Sequence, residues 1–528
     1  MKTTYLKSVF TLSIGCLVST VSLNATDFIE AKSIIDSKCI ACHTGSLDSS
    51  LSRISEQRKT PEGWYMTISR MENSHGLVLS DIERKSVVKY LADTQGLNPS
   101  ESEPYRYILE KTPNYQETPT FDTSTTEACA RCHSEARIGL QRRTAGEWNN
   151  LIEFHLGQFP TLEYQSLSRD REWFKIAKNE IVPLLTEKFG NDTKFEKIEA
   201  NYGGTWTLYG HKLGDGDFTA TMKAEKTSKD VYSLTLKGEY LDGRELSATG
   251  EAIVYSGYEW RATLNFDGIT VNQVFKMDSK TNTLEGSMFE TLHSEEHSFV
   301  KGAKVDSKSL VLGVYPTSIK AGTSSVVTIS GVNLKGDIKL SSGLKVNKIL
   351  EKTASKIVLD VTASSKYDSK QIDLSIGSLK LDNELVIYKK VEGLKVYPSY
   401  AIARVGDGGG KMPKQHAIFE AYGYLAGKDG KIGTSDDISL GKIDAKWSVA
   451  PFDERAKEDE DVKYTGTMDS FSGRFTPSFA GPNPKRRFGT NNAGNLKVFA
   501  TYKDENETLK ADSHLIVTVQ KWVNSPIN

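Results

Sequence analysis

Two short stretches, Cys39-Ile40-Ala41-Cys42-His43 and Cys129-Ala130-Arg131-Cys132-His133, decide how the N-terminal part of this chain folds. In each stretch a pair of thiols, separated by two residues, is followed at once by a histidine. This pattern is typical of c-type haem attachment, in which the thiols add to two porphyrin vinyl groups and the histidine becomes the proximal iron ligand. A zinc site, a thioredoxin-like motif or two disulfides would leave both histidines unexplained. We therefore expect two covalent c-type haems and no disulfide in the mature chain.

An internal repeat predicts the second iron ligand of each haem. The residues after the first motif recur after the second at one constant offset, which is 144 − 60 = 84 for the first pair. Methionine and histidine both ligate haem iron, so the last pair of the repeat offers a ligand twice at the same structural place. Met66 and His75 remain alternatives for the first haem. The pairs are Thr60 with Thr144, Trp64 with Trp148, Ile68 with Ile152, and Met71 with His155.

The motifs and the repeat together predict an all-α region made of two small helical units, each closing on one haem. Ser80 and Glu83 form a capping box, which predicts a helix through Leu91, and Asp170 to Leu185 is its expected counterpart in the second unit. We expect the repeated tryptophans to pack on the haem or its loop. The expected thioether residues are Cys39, Cys42, Cys129 and Cys132, and the expected iron ligands are His43 with Met71 and His133 with His155.

Length, charge and the N-terminal segment limit the possible functions. The chain has 528 residues, too many for one hydrophobic core, so several domains are expected. Its formal net charge of -1 argues against a nucleic-acid binder. Residues 1–25 combine basic residues with an apolar run from Val9 to Leu23 and the small residue Ala25, which predicts a cleaved signal peptide and a periplasmic protein without a membrane span. A retained membrane anchor and a lipoprotein modified at Cys16 are the alternatives.

Beyond about residue 195 the hydrophobic period changes from helical to alternating. Phe218, Ala220 and Met222 alternate with polar neighbours, and Asp242-Gly243 offers a hairpin turn. The segment that begins at Tyr315-Pro316 resembles an immunoglobulin-like IPT domain. We expect a dihaem cytochrome c domain at residues 26–195 and three antiparallel β domains: a barrel-like domain at 196–302, an immunoglobulin-like domain at 303–390 and a C-terminal immunoglobulin-like domain at 391–528.

Two further stretches resemble metal-binding motifs. His293-Ser294-Glu295-Glu296-His297 matches a zinc-peptidase pattern that requires a helix, but its neighbourhood indicates strand and turn. We therefore expect a solvated polar turn there. The stretch from Asp429 to Asp437 clusters carboxylates around glycines, as calcium loops do, without being an EF-hand. A tight surface turn is the simpler expectation, with calcium binding as the alternative.

The run from Trp64 through Met71 and the helix after Ser80 resemble a class I cytochrome c. With two haem motifs, the asymmetry of Met71 and His155, the chain length and the trailing β regions, nearly the whole chain resembles the alpha subunit of quinohemoprotein amine dehydrogenase. That family oxidises primary amines as a heterotrimer. The resemblance implies a β-propeller beta subunit, a gamma subunit that carries cysteine tryptophylquinone, and a soluble electron acceptor such as a small copper protein or cytochrome c.

The resemblance also implies that no residue of this chain is the amine-oxidising catalyst, because the quinone belongs to a partner. Two other functions remain open. A dihaem peroxidase or similar enzyme acting alone would leave one iron accessible to substrate. A non-enzymatic dihaem cytochrome joined to β interaction modules would need no quinone partner.

Overall fold

The computed structural model describes residues 28–163, 172–408, 412–504 and 507–519. The predicted signal peptide lies outside the described residues. Within them, a helical region is followed by an eight-stranded barrel and two further β regions. No helix in the described part of the chain is long and apolar enough to cross a membrane.

The helical region contains two short two-stranded sheets as well as helices, so the expectation of an all-α region was wrong. The capping box at Ser80 and Glu83 is present and begins the predicted helix. Single helical turns also form at Glu103–Tyr105 and Pro160–Glu163. In chain order the elements are α1 (Ala31–Lys38), β1 (Gly45–Ser46), β2 (Ser50–Leu51), β3 (Gln57–Lys59), α2 (Pro61–His75), α3 (Asp81–Thr94), α4 (Pro99–Ser102), α5 (Arg106–Leu109), α6 (Thr123–Cys129), α7 (Ala136–Gly139), β4 (Gln141–Arg143), α8 (Ala145–Gln158), α9 (Trp173–Ile176) and α10 (Val182–Phe189).

The helix predicted from Asp170 to Leu185 has a different shape and a different end in the structure. Its first two residues lie outside the described residues; the helical run then extends from Trp173 through a π-helical turn at Ala177–Ile181 to Phe189. Pro183 therefore lies inside the run and does not end it. Proline cannot supply an amide hydrogen to the preceding turn and clashes with its carbonyl, and a π turn just before it relieves both demands.

The barrel is a closed meander in which each strand pairs with its neighbour and the last strand pairs with the first, all antiparallel. The predicted alternation is present, because Phe218, Ala220 and Met222 point into the core beside Trp206 and Trp260. Its strands are β5 (Gly204–Lys212), β6 (Gly216–Ser228), β7 (Val231–Tyr240), β8 (Glu245–Tyr255), β9 (Glu259–Phe266), β10 (Ile269–Asp278), β11 (Thr283–Glu290) and β12 (His297–Lys304).

The third region is a sandwich of two four-stranded sheets, in the orders β13-β15-β18-β17 and β14-β20-β19-β16, which share one core. Leu359 on β18 and Leu374 on β19 are both buried in it. The strands are β13 (Leu310–Tyr315), β14 (Ser318–Lys320), β15 (Ser324–Val332), β16 (Ile338–Leu340), β17 (Leu344–Lys352), β18 (Lys356–Ala363), β19 (Ser369–Ile376) and β20 (Leu379–Tyr388).

The C-terminal region contains three sheets, in the orders β21-β24-β25, β22-β30-β29-β26 and β23-β28-β27. Its elements are β21 (Gly393–Tyr397), β22 (Tyr400–Arg404), β23 (Ala417–Ile418), β24 (Glu420–Leu425), β25 (Ile438–Ile443), β26 (Lys446–Pro451), α11 (Glu454–Glu458), α12 (Asp461–Thr465), β27 (Gly466–Met468), β28 (Arg474–Pro477), β29 (Gly494–Asp504) and β30 (Glu507–Thr518).

The last two regions were expected to be purely antiparallel, and that expectation was wrong. Strand β14 runs parallel to β20, and β22 runs parallel to β30. In both cases the chain crosses from one sheet to another after its first strand. The second strand then pairs with the last strand of the same region and runs parallel to it.

Buried ion pairs fix the helical region to the barrel. Glu259 on β9 is 1% exposed and accepts hydrogen bonds from Arg106 at 2.7 Å and from Arg261 at 2.8 Å. Arg261 also donates to Glu62 on α2 at 2.6 Å. Removing one member of such a group leaves a buried charge without a partner, at a cost of about 3–5 kcal/mol. Helix α2, which carries Met71, is thereby tied to a rigid scaffold.

Candidate haem sites

The first Cys-x-x-Cys-His motif forms a compact turn at the end of α1. Cys39 caps the helix, and its carbonyl accepts hydrogen bonds from the amides of Cys42 at 3.1 Å and His43 at 3.0 Å. The Nδ1 atom of His43 lies 2.9 Å from the carbonyl oxygen of Ser52. A histidine held in this way through Nδ1 keeps the lone pair of Nε2 for a metal.

The second motif repeats this arrangement at the end of α6. Asp122 caps the helix, Cys129 is its last residue, and Nδ1 of His133 lies 2.9 Å from the carbonyl oxygen of Ser134. No disulfide joins the four cysteines of the two motifs. Burial raises the pKa of Cys129 to about 12, and burial together with Asp36 raises that of Cys39.

The repeat that follows each motif is a structural repeat. Thr60 and Thr144 cap α2 and α8 by accepting hydrogen bonds from amides three residues later. Trp64 and Trp148 are each 1% exposed. The indole of Trp64 donates to the carbonyl of Gln95, at the end of α3, at 3.0 Å, and that of Trp148 donates to the carbonyl of Phe189, at the end of α10, at 3.4 Å. Each tryptophan thus joins the helix that carries the candidate ligand to the helix that closes its unit.

Met71 and His155 occupy equivalent places in the last turns of α2 and α8. The carbonyl of each accepts a hydrogen bond from the residue that caps its helix, Gly76 or Phe159. Both side chains are half-buried. Helical spacing places Met71 on the same face of α2 as Trp64 and Ile68. Trp64 and Ile68 belong to a hydrophobic cluster, and Cys39 packs against that cluster.

The same geometry separates the alternatives for the first haem. Met66 lies about 200° around α2 from Trp64, on the opposite face. His75 lies on the correct face but one turn further, where it is exposed. The face that carries Trp64 and Ile68 therefore favours Met71.

In the second unit, Cys129 packs against the cluster that contains Trp148 and Ile152, as Cys39 does in the first. Nδ1 of His155 lies 2.7 Å from the carbonyl oxygen of Leu151. Burial lowers the pKa of both His133 and His155, and the charge of His133 contributes to the lowering at His155. Both rings are neutral at pH 7, the form that ligates iron.

A local two-fold axis relates the two units. In the β3–β4 pair Gln57 faces Arg143, Arg58 faces Arg142, and Lys59 faces Gln141. By the offset of the repeat, residues 57, 58 and 59 are equivalent to residues 141, 142 and 143. A two-fold rotation therefore maps the central pair onto itself and each outer pair onto the other. The guanidinium of Arg70 also stacks on the ring of Phe154, 4.5 Å from its centroid, and these residues are equivalent too. Each directly precedes a candidate ligand, so the two ligand turns meet at this axis.

The charge around these turns fits a haem. The side chain of Arg70 is half-buried and forms no hydrogen bond or ion pair within the described residues. Burial, Arg137 and Arg53 lower the pKa of Arg70. Buried cations in proteins are normally paired. The carboxylates of a bound haem would supply the missing negative charge.

The sequence did not reveal the β3–β4 pair or the contact of Arg70 with Phe154. The offset of 84 does make residues 70 and 154 equivalent (154 − 70 = 84), so the repeat contained a signal for that contact. The Asp429–Asp437 stretch forms an exposed turn, in which Asp437 pairs with Lys395 at 2.8 Å.

Comparisons with known proteins agree over most of the chain. Four family models match, all described as parts of the quinohemoprotein amine dehydrogenase alpha subunit: haem binding at residues 29–195, domain II at 199–305, domain III at 308–389 and domain IV at 394–527. The comparison with curated proteins found no match.

Solved structures with similar shape include a redesigned β-barrel bound to DFHBI, at 19% identity over 19% of this chain and 91% of that chain, with a TM-score of 0.17. Another is a Drosophila N-cadherin EC1-3 fragment, at 11% identity over 57% of this chain and 89% of that chain, with a TM-score of 0.21. Such TM-scores carry no argument about function. The four family models do, and with them the chain belongs to the quinohemoprotein amine dehydrogenase alpha subunit family, as the haem-bearing subunit of an oxidoreductase complex.

Proposed function

We propose that this chain is the dihaem electron-transfer subunit of a periplasmic quinohemoprotein amine dehydrogenase. It would pass electrons from a cysteine tryptophylquinone on a gamma subunit, through two c-type haems, to a soluble acceptor such as a small copper protein or cytochrome c. A β-propeller beta subunit would complete the heterotrimer, which deaminates primary amines oxidatively. No residue of this chain would be catalytic.

The observation that carries this proposal is the meeting of the two ligand turns at the local two-fold axis. Arg70 and Phe154 are in contact, and each is bonded through the backbone to a candidate ligand, Met71 or His155. Electron transfer between cofactors depends on a short, packed path. A cytochrome joined to interaction modules would not require the two sites to be adjacent. A dihaem peroxidase would leave one iron accessible to substrate, whereas the proposed ligand pairs would occupy both sides of each iron.

The residues of the chain would have separate roles. Cys39 and Cys42 would hold one porphyrin covalently, and Cys129 and Cys132 the other. His43 with Met71, and His133 with His155, would ligate the irons, and bound haem would supply one-electron redox chemistry. The backbone carbonyls of Ser52, Ser134 and Leu151 would fix the imidazole orientations.

Purification of the native complex tests the proposal. A tagged copy of this chain should co-purify with a small subunit that stains for a protein-bound quinone, while haem staining should follow this chain on denaturing gels. The isolated, haem-loaded chain should not turn over a primary amine. Amine turnover by that chain, or purification without a quinone-bearing partner, would contradict the proposal.

A further inference from the structure

A second cluster of metal-binding side chains lies far along the chain, where the barrel touches the C-terminal region. His293 and Glu295 belong to the turn between β11 and β12, and His416 directly precedes β23. One potential ligand atom from each of these three residues lies within 4.8 Å of the other two. The pattern that the sequence suggested, with His297 as the second histidine, does not form.

His297 is occupied elsewhere. Its Nε2 atom lies 3.1 Å from the carbonyl oxygen of Glu110, and its ring packs against Phe289 and Phe299. The turn is also not solvated as expected, because Glu295, Glu296 and His297 are all buried between the barrel and its neighbours. A histidine from another region takes the place that the linear pattern assigned to His297.

The contacts within the cluster converge on one carboxylate. Glu295 Oε1 lies 3.1 Å from Nδ1 of His293 and accepts a hydrogen bond from the backbone amide of His416 at 3.0 Å. The two imidazole rings lie 6.0 Å apart between centroids. The hydroxyl of Thr476 lies 3.4 Å from Nδ1 of His416 and helps to orient its ring.

The charge of Glu295 is the second observation that points to a cation. Its side chain is buried, yet no lysine or arginine forms an ion pair with it within the described residues. The adjacent Glu296 pairs with Arg474 and Lys212, and Lys111, which lines the same cavity as Glu295, lies over the ring of Phe289. A buried carboxylate without a counter-cation is costly, and a bound metal ion removes that cost. A cavity of about 50 Å³, whose lining includes Glu295 and His416, lies beside the cluster and has room for a water molecule.

We propose that His293, Glu295 and His416 bind a divalent transition-metal ion of the zinc type, which joins the barrel to the C-terminal region. Two imidazoles and one carboxylate are a common ligand set for zinc, with a water in the fourth position. Zinc–ligand distances of about 2.0–2.1 Å place tetrahedral ligand atoms roughly 3.4 Å apart, so His293 and Glu295 are already at ligand spacing.

The two halves of the site are held in place without the metal. Glu420 on β24 lies 2.8 Å from Nε2 of His211 on β5 and accepts from the amide of Gly214 at 3.0 Å. Arg474 on β28 forms a bidentate pair with Glu296. Because these contacts join the same two regions, the third ligand is brought to the other two by the fold.

Zinc titration of the haem-loaded chain, after treatment with EDTA and dialysis, tests this proposal by calorimetry. The wild-type chain should bind one Zn²⁺, and His416→Ala, His293→Ala and Glu295→Gln should each weaken binding at least tenfold. That factor is the lower bound for the loss of even an outer-shell partner. His514→Ala is the matched control, since His514 is a half-buried histidine of the same region that contacts Asn495.

The haem absorption spectrum should be the same in all forms, which reports that zinc does not act at iron. The far-ultraviolet circular dichroism spectrum should also be the same, which reports that each variant is folded. The unfolding temperature of the wild type should rise with added zinc, and that of His416→Ala should not. Absence of stoichiometric zinc binding by the wild type overturns the proposal. Equal zinc affinity in the wild type and in the folded Glu295→Gln variant overturns it as well.

Discussion

The two helical units share one scaffold and differ in the ligand that the scaffold presents. In both, a threonine caps the ligand helix and a buried tryptophan joins that helix to the end of the next one. At the equivalent position one unit has Met71 and the other has His155. The closing helix also differs, since α3 is regular and its counterpart contains a π turn. The parts that hold the ligand helix are therefore duplicated, while the part that would face the iron has diverged.

This difference suggests a division of redox roles. Methionine is a weaker donor to ferric iron than histidine, so His/Met ligation raises the potential of a haem relative to bis-histidine ligation. Electrons would then enter on the His155 side and leave from the Met71 side. Burial and nearby charges also shift haem potentials.

The largest expected effect is the loss of one haem from one unit. Cys39→Ser with Cys42→Ser should reduce the mass of the chain by one haem, because only one pair of thioether residues remains. Cys129→Ser with Cys132→Ser should give the same mass decrease. Intact-mass measurement on denatured protein decides the result, and a wild-type mass that corresponds to a single haem would contradict the duplication of the site.

A change of ligand in the first unit should have the next largest effect. Met71→Ala should abolish the weak near-infrared band that a sulfur ligand gives to oxidised haem. Met66→Ala is the matched control and should retain the band, because Met66 lies on the opposite face of α2. Persistence of the band in Met71→Ala would show that another residue is the ligand.

The tryptophans provide a comparison of stability between the units. Trp64→Phe and Trp148→Phe each remove an indole donor, which should destabilise by about 1–3 kcal/mol. Trp148→Phe should have the larger effect, because the carbonyl of Gln95 keeps the hydrogen bond from the amide of Lys59, at 3.0 Å, when Trp64 is changed. Urea unfolding followed by haem absorption measures this, with the exposed Tyr65 changed to Phe as control. Unchanged urea midpoints of unfolding in both variants would show that these indole hydrogen bonds do not stabilise the units.

The smallest expected effect concerns the contact between the units. Arg70→Met and Phe154→Leu should show a coupling energy of about 0.5–1 kcal/mol in a double-mutant cycle, as expected for a cation–π pair. The measurement is the free energy of unfolding of the four proteins. Strictly additive effects would mean that the two ligand turns do not stabilise one another.

The sequence allowed the local elements to be predicted, because their signals are short-range. The capping box at Ser80, the repeat around Trp64 and Trp148, and the alternation through Ala220 all correspond to elements of the structure. The sequence did not reveal contacts between residues that are far apart in the chain. These are the β3–β4 pair, the parallel β14–β20 pair, and the approach of His416 to His293. Their sequence separations are large, and periodicity carries no information about partners.

A potentiometric titration of the haem-loaded chain tests most directly whether the two units differ through their ligands. We expect two one-electron transitions, of which the higher belongs to the Met71 site. Met71→His should lower the higher transition and bring it close to the other, while His155→Met should raise the lower one. If Met71→His leaves the higher transition unchanged, or if the bis-histidine site has the higher potential, the proposed order of electron flow is contradicted.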